Sequence, residues 1–337
     1  MSPSIVLSTR TATLIWALFF LICFGLGYPT LSRYDPSKTP GSADAEAYCN
    51  IVAGVKVPPA DISHRIFVPW VAKPFYWLAR GRVGGWNPVL FGMLVANAIF
   101  TAGTAAAIVL IGLQCSLSYA TSLVAAMLFL FNFAVPNMIL AAYVDSGEVF
   151  FLTMITWSLL SGRWFLLPVW AIPGSLSKET FAPFAVAFSI IWWINDRPLR
   201  PSRWIWILGL AAFALGTVLA ALSITRGISF GPMNFAAEMN AYSDAGFMKA
   251  LLKCLTAREF WYIFVWLLPL GLLRLNRMDR RWSLATAATF LLALLFGAYN
   301  NAGGNTARAL FNIAGPLLSL AASVQLTGFL GIKNESV

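Results

Sequence analysis

Charged residues are scarce in this sequence: 11% of 337, against about a quarter in soluble domains. Histidine is scarcer still. With His64 alone, no multi-histidine zinc site can be assembled, and a solvated loop histidine is the simpler reading of it. The four cysteines, Cys23, Cys49, Cys115 and Cys254, form no C-x-x-C pair and no metal-ligand spacing. Cys49 and Cys254 fall on the same side in the topology below, which leaves a disulfide between them open. The chain has no Walker A loop, no G-x-G-x-x-G and no G-x-S-x-G, so nucleotide, dinucleotide and serine-hydrolase chemistry have no support. It has no low-complexity tract and no clear repeat.

What is abundant is apolar surface. Hydrophobic residues make up 59% of the chain, and the mean hydropathy is +0.74. Apolar runs of about 20 residues recur from end to end, as in a polytopic α-helical membrane protein. Fourteen Trp and 26 Phe fit that class, since Trp favours the bilayer interface. The first run, 11–31, is too long for the apolar core of a signal peptide, and "YPTLSR" lacks a small-residue cleavage site, so it reads as a retained span. The expected fold is all-α, with residues 1–337 forming a single transmembrane domain of about ten helices. The spans are drawn at 11–31, 86–113, 119–134, 147–161, 164–176, 180–195, 204–225, 259–276, 282–299 and 308–330. Two of them, 147–161 and 164–176, are short for a full crossing, and tilted, paired or re-entrant forms stay open.

Short loops set the orientation. With a cytoplasmic N-terminus, Arg10, Arg163, "DRPLRPSR", "RLNRMDRR" and Lys333 lie inside, ten basic residues against Asp196, Asp279 and Glu335. The net charge of +10 is then explained by topology and anionic lipid headgroups rather than by nucleic acid. Two outer segments are long enough to fold, 32–85 and 226–258. In the first, "RIFVPWVAKPFYWLARGR" places Phe67, Trp70, Val71, Pro74, Phe75 and Leu78 at helical spacing with basic residues between, predicting an interface helix broken near Pro74. "GFMKALLKCLTAREFW" in the second has similar basic amphipathic character.

Ten of the 13 acids then share the outer side. An ionisable group close to hydrocarbon costs about 2.5–3.5 kcal/mol on insertion scales, which makes such groups functional candidates. Asp35 and Asp61, in polar loop, read as solvated. "GSADAEAY" puts Asp44 and Glu46 directly after the first outer stretch begins, with Tyr48 one turn beyond Asp44 on the same face. Asp44 could serve as a helix N-cap, as a proton acceptor or as a cation ligand. Asp145 and Glu148 open the fourth span, and Lys178 with Glu179 lies where two short spans meet. Arg308 lies one turn inside the last apolar run, so it either pairs with an acid such as Asp145 or Glu179 or holds an anionic ligand. The preceding "NNAGGN" offers backbone amides near the same point. Asp44, Glu46 and Asp145 could build a carboxylate site for Mg or Mn. No spacing demands one, and no cofactor is assigned.

The order of these elements resembles the GT-C superfamily of membrane glycosyltransferases, which take a sugar from a polyprenyl-phosphate donor. Asp44-Ala45-Glu46 is similar to the acidic motif of that superfamily's first outer loop, and "ISHRIFVPWVAKPFYWLA" to its R-x-x-x-P segment, with Arg65 and Pro69 in the matching positions. "YVDSGEVFFLTMITWSLLSGRW" looks like its second outer loop, "GSLSKETFAPF" like its L-x-[KR]-E-[TS] segment, and "NTARALFNIAGPLL" like a final span whose Arg meets donor phosphate. The chain differs from many members in lacking a large C-terminal periplasmic domain and in having no acid just before that Arg. The resemblance implies inverting transfer on the periplasmic face of a bacterial inner (plasma) membrane, with both termini cytoplasmic. Asp44 would be the base, with Glu46 or Asp145 as helper. Tyr48, His64, Arg65, Asp145, Glu148, Lys178, Glu179 and Arg308 would bind substrate, Arg308, Arg65 and Lys178 by stabilising the leaving phosphate. The implied partners are a polyprenyl-phosphate sugar, the bilayer, and a glycan, lipid or protein acceptor. The alternative is a non-catalytic protein of the same architecture, or a transporter or flippase of lipid-linked saccharides.

Overall fold

The computed structural model describes residues 8–33, 43–55, 62–82, 84–226, 246–300 and 302–330. Asp35, Asp61, Lys333 and most of the 226–258 loop lie outside them. The described secondary structure is helical, with no strand. In chain order the α-helices are α1 (Thr9–Gly27), α2 (Thr30–Arg33), α3 (Ala43–Ala53), α4 (Phe67–Ala79), α5 (Pro88–Gln114), α6 (Tyr119–Leu130), α7 (Asp145–Leu160), α8 (Leu167–Ser177), α9 (Phe181–Asn195), α10 (Trp204–Arg226), α11 (Phe247–Thr256), α12 (Arg258–Phe264), α13 (Leu267–Leu272), α14 (Arg280–Tyr299) and α15 (Asn305–Phe329).

Each of the ten apolar runs is occupied by helix. Five described helices, α1, α5, α10, α14 and α15, are long and apolar enough to cross a membrane. The run expected at 259–276 is divided into α12 and α13, with Pro269 just inside the second piece. Local chemistry sets several boundaries. Asn87 caps α5 by accepting from the Val89 amide at 3.0 Å, ahead of a proline at the first helical position. Ser118 caps α6 through the Thr121 amide, and Asp279 caps α14 through the amides of Arg281 and Trp282.

Burial divides the long helices into two classes. The apolar windows of α5 and α15 are 78% and 83% buried, those of α1, α10 and α14 only 22%, 33% and 39%. Helices α5 and α15 therefore form the centre of the bundle, and the other three present broad apolar faces outward. Phe129 of α6 stacks on Phe311 of α15 with ring centroids 5.3 Å apart, tying an edge helix to that centre.

Helix α4 corrects one expectation. It runs unbroken through Pro74, one missing N–H being tolerated because the helix is held along its length by α5. Val68, Ala72, Tyr76 and Ala79 are buried, while Trp70, Trp77 and Leu78 face outward. Gly92 of α5 permits that contact, since a Cβ there would lie 2.8 Å from the Ala72 carbonyl oxygen. The cysteines form no disulfide: all four are free, and Cys254 is buried with its sulfur 3.3 Å from Thr306 Oγ1.

At the end of the bundle away from α3 and α4, Asp196 pairs with Arg203 and with Arg281 (2.6 Å), whose guanidinium also bonds Asp279 at 2.6 Å. The basic loops are thus partly fastened by acids of their own side.

Candidate functional site

The opposite end holds the acids that the sequence singled out. A π-helical turn, Val135–Ile139, leads the chain out of α6 and into the turn before α7. Asn97 of α5 pins that turn: its amide donates to the Ala141 carbonyl, and its oxygen accepts from Ser146 Oγ at 2.6 Å. Helix α7 therefore begins with Asp145, Ser146, Gly147 and Glu148 all buried. At Gly147 a Cβ would lie 2.5 Å from Ser177 Oγ and 2.9 Å from Val68 Cγ2. The missing side chain brings the start of α7 against the end of α8, where Lys178 emerges.

Lys178 Nζ lies 2.8 Å from Asp145 Oδ1 and 3.2 Å from Glu148 Oε2. Glu148, fully buried, also accepts from Thr180 Oγ1 and from Asn312 Nδ2 at 2.7 Å. Arg308, one turn into α15, donates to Asp145 Oδ2 at 3.2 Å and to Asn305 Oδ1 at 2.8 Å, and its guanidinium lies 4.7 Å from the centre of the Tyr143 ring. Of the two roles open to Arg308, pairing with an acid is the one its contacts show.

A second group lies beside the first. Arg65 forms a fork on Glu179, Nε to Oε2 at 2.7 Å and Nη2 to Oε1 at 2.5 Å, and donates through Nη1 to Tyr48 Oη at 2.9 Å. His64 Nε2 lies 3.0 Å from Glu179 Oε2. His64 is only 3% exposed, so it is not the solvated loop residue that its position suggested. Glu179 already accepts two bonds from Arg65, which makes the histidine the donor at Nε2.

The electrostatics follow from these contacts. Burial pushes the Tyr48 hydroxyl up to about 12, with Arg65 opposing, so it stays protonated. Burial alone would raise Glu179, but Arg65 and His64 hold its carboxyl well below the usual range. Burial likewise works against the charge on Lys178, and Asp145 and Glu148 overcome it, raising the ammonium above its ordinary value. Asp145, Glu148 and Glu179 are thus matched by Lys178, Arg308 and Arg65.

Asp44 is the exception. It is partly exposed and forms no hydrogen bond or ion pair among the described residues, while lying close enough to act on the Tyr48 hydroxyl. Glu46, two residues on, is exposed and does not reach the cavity described next. The expected pairing of Asp44 with Glu46 or Asp145 is not formed: Asp145 is taken by Lys178 and Arg308. Among the described residues no group of three His, Cys, Asp or Glu side chains is placed to hold a metal ion, so the carboxylate set considered for Mg or Mn does not converge.

A cavity of about 700 Å³ joins these groups to the apolar flank of the bundle. Its polar end is lined by Asp44, His64, Arg65, Lys178, Glu179 and Arg308. Beyond them it runs between α10, contributing Ala214, Val218 and Leu222, and α14, contributing Ala293 and Phe296, over Ala182 and Val186 of α9. Tyr48 and Glu148 do not line it; they support the residues that do. Asn305 and Ala302 reach the cavity from the glycine-containing loop, but Gly303 and Gly304 do not. Gly304 abuts the Glu259 carboxylate instead.

Sequence reasoning missed Asn312 and Thr180, which satisfy Glu148. Both are uncharged, Asn312 inside an apolar stretch and Thr180 at the edge of one beside Lys178 and Glu179, and only the turn spacing of Asn312 after Arg308 placed it on a shared helix face. No protein-family model matches the chain, and no curated protein matches it.

Proposed function

We propose that this protein is a membrane glycosyltransferase that moves a sugar from a polyprenyl-phosphate donor to an acceptor on the outer face of the membrane, with inversion. The observation that carries the reading is the shape and chemistry of the cavity. Its charged end and its apolar run between α10 and α14 match an amphiphile with an anionic head and a hydrocarbon tail.

Asp44 is the base in this reading, because among the described residues it is the cavity carboxylate that no cation hydrogen-bonds, although its charge acts on nearby Arg308. It accepts the proton of the acceptor hydroxyl as that oxygen bonds to the anomeric carbon. The bond from that carbon to the phosphate oxygen breaks, and the electron pair leaves with the lipid phosphate. Arg308, Lys178 and Arg65 face the charge that develops there. Their carboxylate partners hold them in place before substrate arrives, so no reorganisation is needed at the moment of transfer.

The same cavity suits a carrier of lipid-linked saccharides, and the internal neutralisation of the three cations favours that second reading. The two differ in their need for a base. The deciding experiment reconstitutes the purified protein in vesicles with polyprenyl-phosphate sugars and follows glycosyl transfer. Asp44→Asn should lower the rate by about 10²–10⁴-fold while the protein inserts and melts as the wild type does, and Glu46→Gln should leave the rate near wild type. Full transfer by Asp44→Asn would remove the catalytic assignment, and movement of the intact donor across the vesicle wall would establish the carrier.

A further inference from the structure

Below the carboxylate cluster the bundle contains a second, much smaller cavity, of about 10 Å³, enclosed by α7, α9, α14 and α15. Deep in an apolar bundle, its wall carries four polar side chains: Thr153, Thr156, Thr289 and Asn312. Asn312 is 1% exposed and donates its amide hydrogens to Glu148 (2.7 Å) and towards Asp145 (3.4 Å). That fixes the side chain, since the reverse orientation would set the amide oxygen against two carboxylates. Asn312 Oδ1 is left buried with no partner, and so is the hydroxyl of Thr289. Pro316, also on the cavity wall, has no N–H to give to the Asn312 carbonyl one turn earlier. Thr153 and Thr156 donate their hydroxyl hydrogens to the carbonyls of Val149 (2.7 Å) and Leu152 (3.2 Å), which leaves their oxygens as acceptors.

We propose that this cavity is a binding site for one ordered water, which donates to the Asn312 and threonine oxygens and accepts from the Thr289 hydroxyl. The volume fits, because about 10–15 Å³ accommodates one water, and the site supplies the two to four polar partners that a buried water needs. Water fits better than a sodium ion because no negative charge is left over nearby: Asp145 and Glu148 are already balanced by Lys178 and Arg308. The water has a consequence for the site above it. By satisfying Asn312 Oδ1 it holds the amide towards Glu148, and Glu148 in turn holds Lys178. Unpartnered buried groups continue along the contact of α9 with α14, at Thr286, Ser189 and Trp192, so this seam of the bundle is polar well beyond the single cavity.

Radiolytic hydroxyl labelling of the full chain in lipid vesicles tests the proposal, since radicals formed from a bound water modify the side chains around it. Phe188 (5% exposed) and Pro316 on the cavity wall should label several-fold faster than Phe129, which is fully buried and packed on Phe311. Thr289→Val, nearly isosteric, should bring that labelling down towards the Phe129 rate. Equal rates at Phe188, Pro316 and Phe129 in the wild type would overturn the proposal without any variant. A rise in melting temperature with sodium chloride, absent with choline chloride, would overturn it in favour of a bound cation.

Discussion

Asp44 and Glu46 stand two residues apart, and a helix separates such neighbours by about 200°. Their separate fates, one on the cavity and one in solvent, follow from that rotation once Tyr48 is buried against Arg65. The charges around them are exposed to a different hazard. Arg65 and Glu179 are 114 positions apart in the chain and paired, part-buried, in the fold, so removing Arg65 leaves Glu179 with His64 as its remaining partner there. Arg65→Ala should destabilise by less than the ~3–5 kcal/mol of a fully buried pair, and the paired change Arg65→Met with Glu179→Leu should recover most of the loss. Thermal melts in detergent read both. The depressed carboxyl of Glu179 also fixes the sign of a pH effect. Its contribution is fully present above its unfolded value of 4.5 and is lost as pH falls through the lower folded value. Melting temperatures should therefore owe no change to this group between about pH 7 and pH 5 and should drop in more acidic buffer. Glu179→Gln should be less stable at neutral pH and show a shallower acid decline.

Among the elements, the junction of α7 with α8 and α4 decides whether a site exists. It rests on Gly147, where any side chain would collide with Ser177 and Val68. Gly147→Val should force α7 away from Lys178 and lower the melting temperature strongly. Gly216→Val on α10, with nothing within 4 Å of its Cβ position, should be tolerated. Comparing the two melts separates close packing from the general cost of replacing a helical glycine. The element level is also where the sequence could and could not be read. Apolar run length located α5 and α15: α5 also has a side-chain cap and a proline at its start, whereas α15 has neither and was legible from its length alone. The proline rule failed at Pro74, where packing on α5 outweighed one lost hydrogen bond. The run at 259–276, expected as one span, is instead divided ahead of Pro269, although both short pieces, α12 and α13, pack on α15.

For the molecule as a whole, the distribution of charge makes the orientation testable. If the carboxylate end faces outward, Glu46→Cys should react with an impermeant thiol reagent added outside intact cells, and Arg277→Cys only after permeabilisation, both residues being exposed. The reverse pattern would invert the topology. What the sequence determined by itself was the helical membrane character, the sharing of one end by Asp44, Asp145, Glu148 and Glu179, and the list of ionisable residues worth attention. Those properties depend on composition and on spacing within one helix, which are local. Only the tertiary structure decided which acid meets which cation. Asp145 reaches Arg308 across 163 positions and Glu179 reaches His64 across 115. No periodicity encodes such a pairing, because it depends on how closely α7 approaches α8 and α15. Tertiary packing also set Asp44 apart, since among the described residues the cations on its cavity, Arg65, Lys178 and Arg308, hydrogen-bond to other carboxylates.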